Sequence, residues 1–333
     1  MIGLKTSIWN SVSGMKASQA GLATVGHNLA NADNEGYSRQ RTSIGARTPA
    51  RLIAGSSPNF AGQGAELNNI TRAQSTFLDR QLLRDRMEKG FFQGRGEALT
   101  LLERIADQGV GSTINDRMDA FFNATRELSQ DATSFGSRRV FVEASQELAG
   151  QFREAALESR LLQEDIDRSL EDRVRTINRL AATIADTNAR VGVTEGLGVE
   201  ANDARDQREQ AIRELGDMIN VRVRVQGNGT LDVDIGNGFS LVSGDIHANL
   251  EAIPDPNNSS LVGIHHISLN GRRTDITQRL SEGEIGGLLD VRDNVIPDQT
   301  AKLDSLAFNF VNEVNAVHNA GFGLDGVGGR DLF

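Results

Sequence analysis

The sequence predicts a mainly α-helical protein with a β insert (α+β): an elongated helical bundle or coiled-coil body, a small antiparallel β subdomain and an N-terminal amphipathic helical arm. Three observations support this prediction. Apolar residues recur at helical spacing over most of the 333 residues, and a period of two is confined to about 220–280. Aromatic residues make up only 5% of the chain. With Ala, Leu, Arg, Glu and Gln recurring throughout, the composition is typical of long helices.

The N-terminal segment 1–31 is predicted to be an assembly helix. Small residues fill the positions between the members of a thin apolar seam, and each glycine costs about 1 kcal/mol relative to alanine. We therefore expect this arm to be disordered in the free subunit and to fold against copies of itself or its neighbours. The seam consists of Ile8, Val12, Met15, Leu22, Val25 and Leu29.

Glycine and proline punctuate the next segment, 32–71, which predicts an extended connector. A helical coiled-coil body is predicted over 72–219, with a pause at 109–112. Its strongest signal lies at 140–191, where apolar residues keep close to the 3.5-residue repeat of a coiled coil. We expect this seam to pack chiefly inside the same chain, as most apolar helical stripes do. Its residues are Leu148, Phe152, Ala155, Leu162, Ile166, Leu170, Val174, Ile177, Leu180, Ile184 and Val191.

An antiparallel β insert is predicted over 220–280, where valines alternate with polar residues and Asn-Gly pairs supply the turns of hairpins. Helical periodicity returns at 281–320, with Pro297 as a kink or a helix start. We expect this helix to return alongside the 140–191 helix, because its apolar stripe needs a surface to cover it. Residues 321–333 are then predicted to be a truncated linker to a missing domain.

Composition excludes several classes of function. The chain carries 35 Lys+Arg against 45 Asp+Glu, a net charge of −10, so we expect neither nucleic acid nor an anionic membrane as partner. The absence of cysteine excludes disulfides, thiolate metal sites and cysteine nucleophiles. No stretch approaches the roughly 20 apolar residues that cross a bilayer. The N-terminus also lacks the apolar core of a cleaved signal peptide, and we expect it to be retained.

The search for catalytic chemistry gives a negative prediction: no enzyme, no catalytic or metal-binding residues and no cofactor. The five histidines lie on different elements, and adjacent His265 and His266 point to opposite faces of a strand. The acidic segment 201–209 alternates charges three and four apart. This spacing favours solvated surface ion pairs over acid–base catalysis.

Two N-terminal segments carry a family resemblance. Residues 11–20 read Ser-Val-Ser-Gly-Met-Lys-Ala-Ser-Gln-Ala, and residues 26–37 read Gly-His-Asn-Leu-Ala-Asn-Ala-Asp-Asn-Glu-Gly-Tyr. Together they resemble the signature shared by bacterial flagellar rod, hook and hook-associated proteins. The ending Ser38-Arg39-Gln40 is similar to the hook-associated protein 1 (FlgK-type) family, and later segments are similar to that family in the same order: 201–208, 238–242, 286–289 and 312–321.

The resemblance implies a structural subunit of the hook–filament junction, outside the cell, exported unfolded by the flagellar type III apparatus without a cleaved signal. The implied partners are other copies of the chain, the hook protein, a second hook-associated or filament protein, and an export chaperone. In that family the N-terminal arm pairs with a C-terminal helix. Because family members continue well beyond the point that corresponds to residue 333, we expect a truncated product or a fragment.

The predicted assembly residues are the six seam residues of the arm, Ile8, Val12, Met15, Leu22, Val25 and Leu29, and four residues at its exit. Leu22, Val25 and Leu29 are expected to make the principal arm contacts, whereas Asn28, Asn31, Gly36 and Tyr37 are expected to fix the turn by which the chain leaves the arm. Three alternatives stay open on the sequence alone: another axial protein of the hook or distal rod, a secreted hydrolase that uses Asp203 and Asp206, and a soluble adhesin or effector.

Overall fold

The computed structural model describes residues 2–54, 57–106 and 113–333, so the predicted pause at 109–112 lies outside the described residues. Within them, long helices and small antiparallel sheets confirm the mainly α fold with a β insert. The helices are α1 (Ile2–Ala30), α2 (Thr76–Ala106), α3 (Ile114–Gln130), α4 (Phe135–Gly196), α5 (Asn202–Met218), α6 (Gly283–Asp290) and α7 (Ile296–Asn319). The strands are β1 (Gln40–Ala46), β2 (Ala50–Ala54), β3 (Ser57–Ala61), β4 (Ala65–Arg72), β5 (Val221–Val225), β6 (Leu231–Ile235), β7 (Phe239–Ser243), β8 (Ile246–His247), β9 (Asn249–Pro254), β10 (Val262–Ile267) and β11 (Arg273–Asp275).

The chain forms two compact units. The first contains residues 1–87, 176–250 and 266–274, and the second contains 88–175, 251–265 and 275–333. Both α2 and α4 contribute residues to each unit, so neither unit is a continuous stretch of sequence.

The segment predicted as an extended connector forms two antiparallel pairs in the first unit. Strands β1 and β4 pair from Gln40↔Arg72 to Ala46↔Ala65, and β2 pairs with β3. A bulge between Ser43 and Ile44 shifts the register of β1. Because a bulge reverses which face successive side chains occupy, the strand lacks the simple alternation by which sequence reasoning finds strands.

The C-terminal part of α4 is hydrogen-bonded to the four-stranded sheet β5-β6-β7-β8 in the first unit. Buried Asn188 on α4 donates to the Leu231 carbonyl at 2.7 Å and accepts from the Leu231 amide at 3.1 Å. Earlier on the same helix, Asn178 likewise donates to the Leu250 carbonyl and accepts from the Leu250 amide. These asparagines fasten the helix to strand backbone, and the surrounding core is apolar: Ile184, Val191, Leu215, Ile219, Val233, Ile235 and Leu241.

In the second unit, α6, a π-helical turn (Val291–Val295) and α7 follow one another without a break. Gln163 on α4 donates to the Arg292 carbonyl at 3.0 Å, so the π-helical turn lies against the 140–191 helix. That the whole of 281–320 returns alongside this helix stays a prediction. Pro297 lies in the first turn of α7, where its missing N–H is tolerated. Buried Phe121 packs against the rings of Phe141, Phe310 and Phe333.

Residues 321–333, predicted as a linker, fold back on α7. The side chain of Asn315 accepts from the amides of Leu332 and Phe333 at 2.9 and 3.1 Å. His318 Nδ1 lies 2.7 Å from the Arg330 carbonyl. These contacts place Phe333 on the phenylalanine cluster of the second unit.

Candidate assembly interface

The small-residue face of α1 packs on the β1–β4 ladder. Ala17 and Thr24 are buried there. Ser13 Oγ accepts from the Ala65 amide at 3.1 Å, and Asn10 Nδ2 donates to the Gly62 carbonyl at the same distance. Gly64 is required at this crossing, because its φ is +85° and a Cβ would overlap Ser13 Oγ. Small side chains therefore let strands, rather than a second helix, approach this face.

The opposite face of α1 presents the apolar seam to solvent. Ile8, Met15, Leu22 and Leu29 recur every seven residues, and Leu22 and Leu29 are 74% and 76% exposed. Val25 is exposed beside them, whereas Val12 lies off this line and is half-buried. At 100° per residue the seam lies roughly opposite Ala17 and Thr24. A helix held by one face and apolar on the other is suited to bind a second helix.

Asn28 connects the end of α1 to the first strand. Its Oδ1 accepts from Tyr37 Oη at 2.7 Å and from the Gln40 amide at 2.8 Å, while Nδ2 donates to the Gln40 carbonyl at 2.9 Å. The Tyr37 ring meets His27 edge to face at 5.3 Å between centroids. Of the predicted exit residues, the structure thus brings Asn28 and Tyr37 into one network.

The other two exit residues make local contacts. Asn31 Nδ2 donates to the His27 carbonyl at 3.0 Å, a carbonyl that also accepts from the Asn31 amide at 3.2 Å. The Gly36 amide donates to Asn34 Oδ1 at 3.1 Å, an Asx turn. They shape the bend but do not join the Asn28 network.

Carboxylates of α5 bind the open end of the hairpin that β1 and β4 form, near Gln40 and Arg72. Arg72 donates to Asp206 and to Glu209, each at 2.7 Å, and the Ser38 amide donates to Asp206 Oδ2 at 3.0 Å. Burial by itself lowers the pKa of Arg72, but the hydrogen bonds and charges of Glu209 and Asp206 more than offset it and raise that pKa. Burial, followed by the charges of Asp203 and Asp206, raises the pKa of Tyr37.

The expectation of solvated ion pairs over 201–209 is therefore wrong for two charged residues of this segment. Asp206 and Arg208 are buried, and the partner of Asp206 is Arg72, 134 residues away, rather than a neighbour on its own helix. Further bonds complete the attachment: Asn202 Nδ2 donates to the Ile70 carbonyl at 2.6 Å and Asn69 to Glu200 at 2.7 Å. The sequence offered no signal for these pairs beyond the resemblance of 201–208 to a family segment.

Other chemistry is sparse in the part of the chain that the structure describes. There, no three His, Asp or Glu side chains are placed to hold a metal ion, and no helix has the length and apolarity to span a membrane. His266 is buried with Nε2 2.8 Å from the Ser240 carbonyl, a local structural contact.

Replacing Asn28 with alanine is expected to lower the free energy of unfolding of the first unit by about 1–3 kcal/mol, because both backbone groups of Gln40 lose a partner. The Gln40 amide should exchange with solvent faster. Denaturant unfolding and amide hydrogen exchange measure the two effects. Asn31→Ala, which removes one exposed bond, should change stability by less than about 0.5 kcal/mol; equal effects of the two variants would contradict the network.

Comparison with known proteins gives concordant matches. The family profile described as the flagellar hook-associated protein FlgK helical domain matches residues 99–333. Flagellar hook-associated protein 1 of Escherichia coli (strain K12) is 28% identical over 333 residues, which cover 99% of this chain and 60% of that protein. The Bacillus subtilis (strain 168) protein of the same name is 25% identical, covering 96% of this chain and 68% of the relative.

A solved structure is also similar. The flagellar hook junction protein FlgK from Burkholderia pseudomallei superposes with a TM-score of 0.67 at 25% identity, covering 75% of this chain and 46% of that one. The chain thus spans about 60% of the length of its Escherichia coli relative. Since the family profile matches most of its residues, the chain belongs to the flagellar hook-associated protein FlgK family.

Proposed function

We propose that this chain is a structural, non-catalytic subunit of the bacterial flagellum that forms part of the junction between hook and filament. The names of its relatives support this role, and one observation carries the mechanism: α1 is held by its small-residue face while its apolar seam is exposed. Its partners would be other copies of the chain, the hook protein and a second hook-associated or filament protein. Export through the type III apparatus, with a chaperone and without a cleaved signal, belongs to the same proposal.

The exposed seam supplies the binding energy in this proposal. Burying one leucine side chain contributes about 1.5–3 kcal/mol, so a partner helix that covers Leu22, Val25 and Leu29 gains several kcal/mol before the entropy of association is subtracted. The Asn28 network and the Arg72 ion pairs set the direction in which α1 presents this seam. Disorder of α1 in the free subunit stays a prediction.

Replacing Leu22 and Leu29 together with aspartate tests the proposal. We expect junction formation in cells to be lost, because two charges would enter an apolar seam. The free energy of unfolding of the purified chain should change by less than about 0.5 kcal/mol, since neither side chain has buried contacts to lose. Filament attachment by electron microscopy and swimming in a strain that lacks the endogenous subunit provide the measurement, and secretion of the variant is checked by immunoblot.

The chain offers a matched control one residue further along the helix. Ala23 and Ala30 are also exposed and seven residues apart, but they lie off the seam. The pair Ala23→Asp and Ala30→Asp should therefore assemble. Normal junctions from the Leu22 and Leu29 variant, or a large drop in its melting temperature, would overturn an outward-facing seam.

A further inference from the structure

A cavity of about 540 Å³ lies within the first unit, between the start of α2, the helix α5 and the strands β5 and β6. Its volume is in the range of sites that bind small ligands or single side chains. One wall is apolar and includes Leu82, Ile212 and Val223. The remaining lining is charged, with five arginines against two carboxylates, in a chain whose net charge is −10.

Arg208 is the unusual member of this lining. It is only 3% exposed, and its Nη1 donates to two neutral groups, Asn188 Oδ1 at 2.8 Å and the Gly229 carbonyl at 3.0 Å. Its Nε is buried without a partner. Burial lowers the pKa of Arg208 to about 10, the direction expected of a cation that lacks full compensation.

Two of the other lining arginines already have carboxylate partners. Arg72 pairs with Asp206 and Glu209, and Arg205 forms a two-pronged pair with Glu195 at 2.5 and 2.7 Å. The Nε of Arg213 is buried without a partner, as the Nε of Arg72 also is.

Asp79 is the remaining acidic group of the lining. Burial and then the charge of Glu209 raise its pKa, and one of its oxygens is buried without a partner. The charge of Arg213 partly offsets this rise, so Asp79 compensates Arg213 in part and leaves Arg208 with its two neutral partners. An unpartnered buried donor costs about 1–3 kcal/mol, more where the group is charged, so an incoming anion would meet donors of Arg208 and Arg213 that the chain leaves unsatisfied.

We propose that this cavity binds an organic carboxylate, whose oxygens accept from Arg208 Nε and Arg213 Nε and whose apolar chain packs on the Leu82 side of the cavity. Arginine is suited to carboxylates because its N–H groups match their oxygens. The mouth is bordered by partly exposed Leu82 and exposed Val225, which extends the apolar surface outward. A free aliphatic acid and an acidic or C-terminal group of a polypeptide share this chemistry.

Three small probes test the chemistry on the full chain. Sodium hexanoate should bind saturably by calorimetry and raise the melting temperature progressively as its concentration increases. Hexanamide has the same tail without the charge, and acetate has the charge without the tail. Both should bind at least about tenfold more weakly, a difference of about 1.4 kcal/mol in binding free energy.

Two variants locate the site. Arg213→Gln and Leu82→Ser should each weaken hexanoate binding about tenfold or more, with melting of the unliganded chain almost unchanged because both side chains are partly exposed. Arg47→Gln removes an exposed arginine of the hairpin that lies outside the cavity, and should bind as the parent chain does. Arg208→Gln also disturbs Asn188 and Gly229, so the first two variants decide.

A further comparison distinguishes a free aliphatic acid from the carboxylate of a polypeptide. A short peptide that ends in leucine is compared with its C-terminally amidated form and with hexanoate. Tighter binding of the free-acid peptide assigns the site to a polypeptide carboxylate, and tighter binding of hexanoate assigns it to a small acid. Equal binding of hexanoate and hexanamide, binding unaffected by Arg213→Gln, or no saturable binding of any probe would overturn the proposal.

Discussion

Replacing Arg292 with methionine is expected to lower the free energy of unfolding by about 3–5 kcal/mol, because it leaves buried charge without a partner. The Arg292 side chain is 1% exposed. Its Nη1 donates to Asp167 Oδ1 at 2.6 Å and to the Val262 carbonyl at 2.8 Å, while Nε and Nη2 donate to Asp293 at 2.8 and 2.9 Å. One side chain thus joins α4, a strand and the π-helical turn of the second unit.

Urea unfolding followed by circular dichroism measures this effect. Arg168→Met is the matched control, since Arg168 lies on α4 one residue after Asp167, is largely exposed and pairs with Asp165 on the surface. Exposed pairs contribute about 0–1 kcal/mol, so the control should change stability by no more than that. If Arg292→Met cost no more than Arg168→Met, desolvation would have cancelled the benefit of the buried network.

Replacing Gly287 with alanine is expected to destabilise the second unit by about 1–3 kcal/mol, as overpacking does in a filled core. A Cβ at 287 would overlap the Phe91 carbonyl oxygen and lie 2.6 Å from the Arg95 amide nitrogen. The two helices approach as closely at Gly94 of α2, where a Cβ would overlap the Glu284 carbonyl oxygen of α6. All of these neighbours are backbone atoms, which cannot move away as a flexible side chain can, so α2 and α6 would have to separate.

Gly96 supplies the control on the same helix as Gly94. A Cβ there meets nothing within 4 Å, so Gly96→Ala should gain up to about 1 kcal/mol from helix propensity alone. The same chemical change is therefore expected to have opposite signs at 287 and 96. Thermal unfolding of the two variants decides, and stabilisation by both would show that α2 and α6 tolerate a wider spacing.

Sequence reasoning found the long helix and the β insert because their patterns coincide with burial. Ile166, Leu170 and Ile177 of the predicted seam are all buried on α4. Val221 and Val223 alternate with arginines on β5 as predicted. A period that persists over many residues averages out local exceptions, which explains why these elements were predictable.

The surroundings of α1 were less predictable. Its alanines, glycines and serines indicate close approach by another element, but they do not distinguish a helix from a hairpin, and the bulged strand β1 gave little signal of its own. The resemblance supplied Asn28 and Tyr37. It could not supply Arg72 and Asp206, because the charge spacing on α5 is equally compatible with a solvated helix and only the tertiary fold brings the hairpin onto it.

The bonds that hold the hairpin also imply an order of folding. Asn28 and Gln40 are 12 residues apart, whereas Arg72 and Asp206 are separated by 134. Closing the longer loop costs more chain entropy and is the slower kind of contact to form. The hydrogen bonds between α1 and β1 can therefore form first. The hairpin can attach to α5 only after that helix has formed. In a chain that emerges from its N-terminus, the first residues to appear would be among the last to reach their final position.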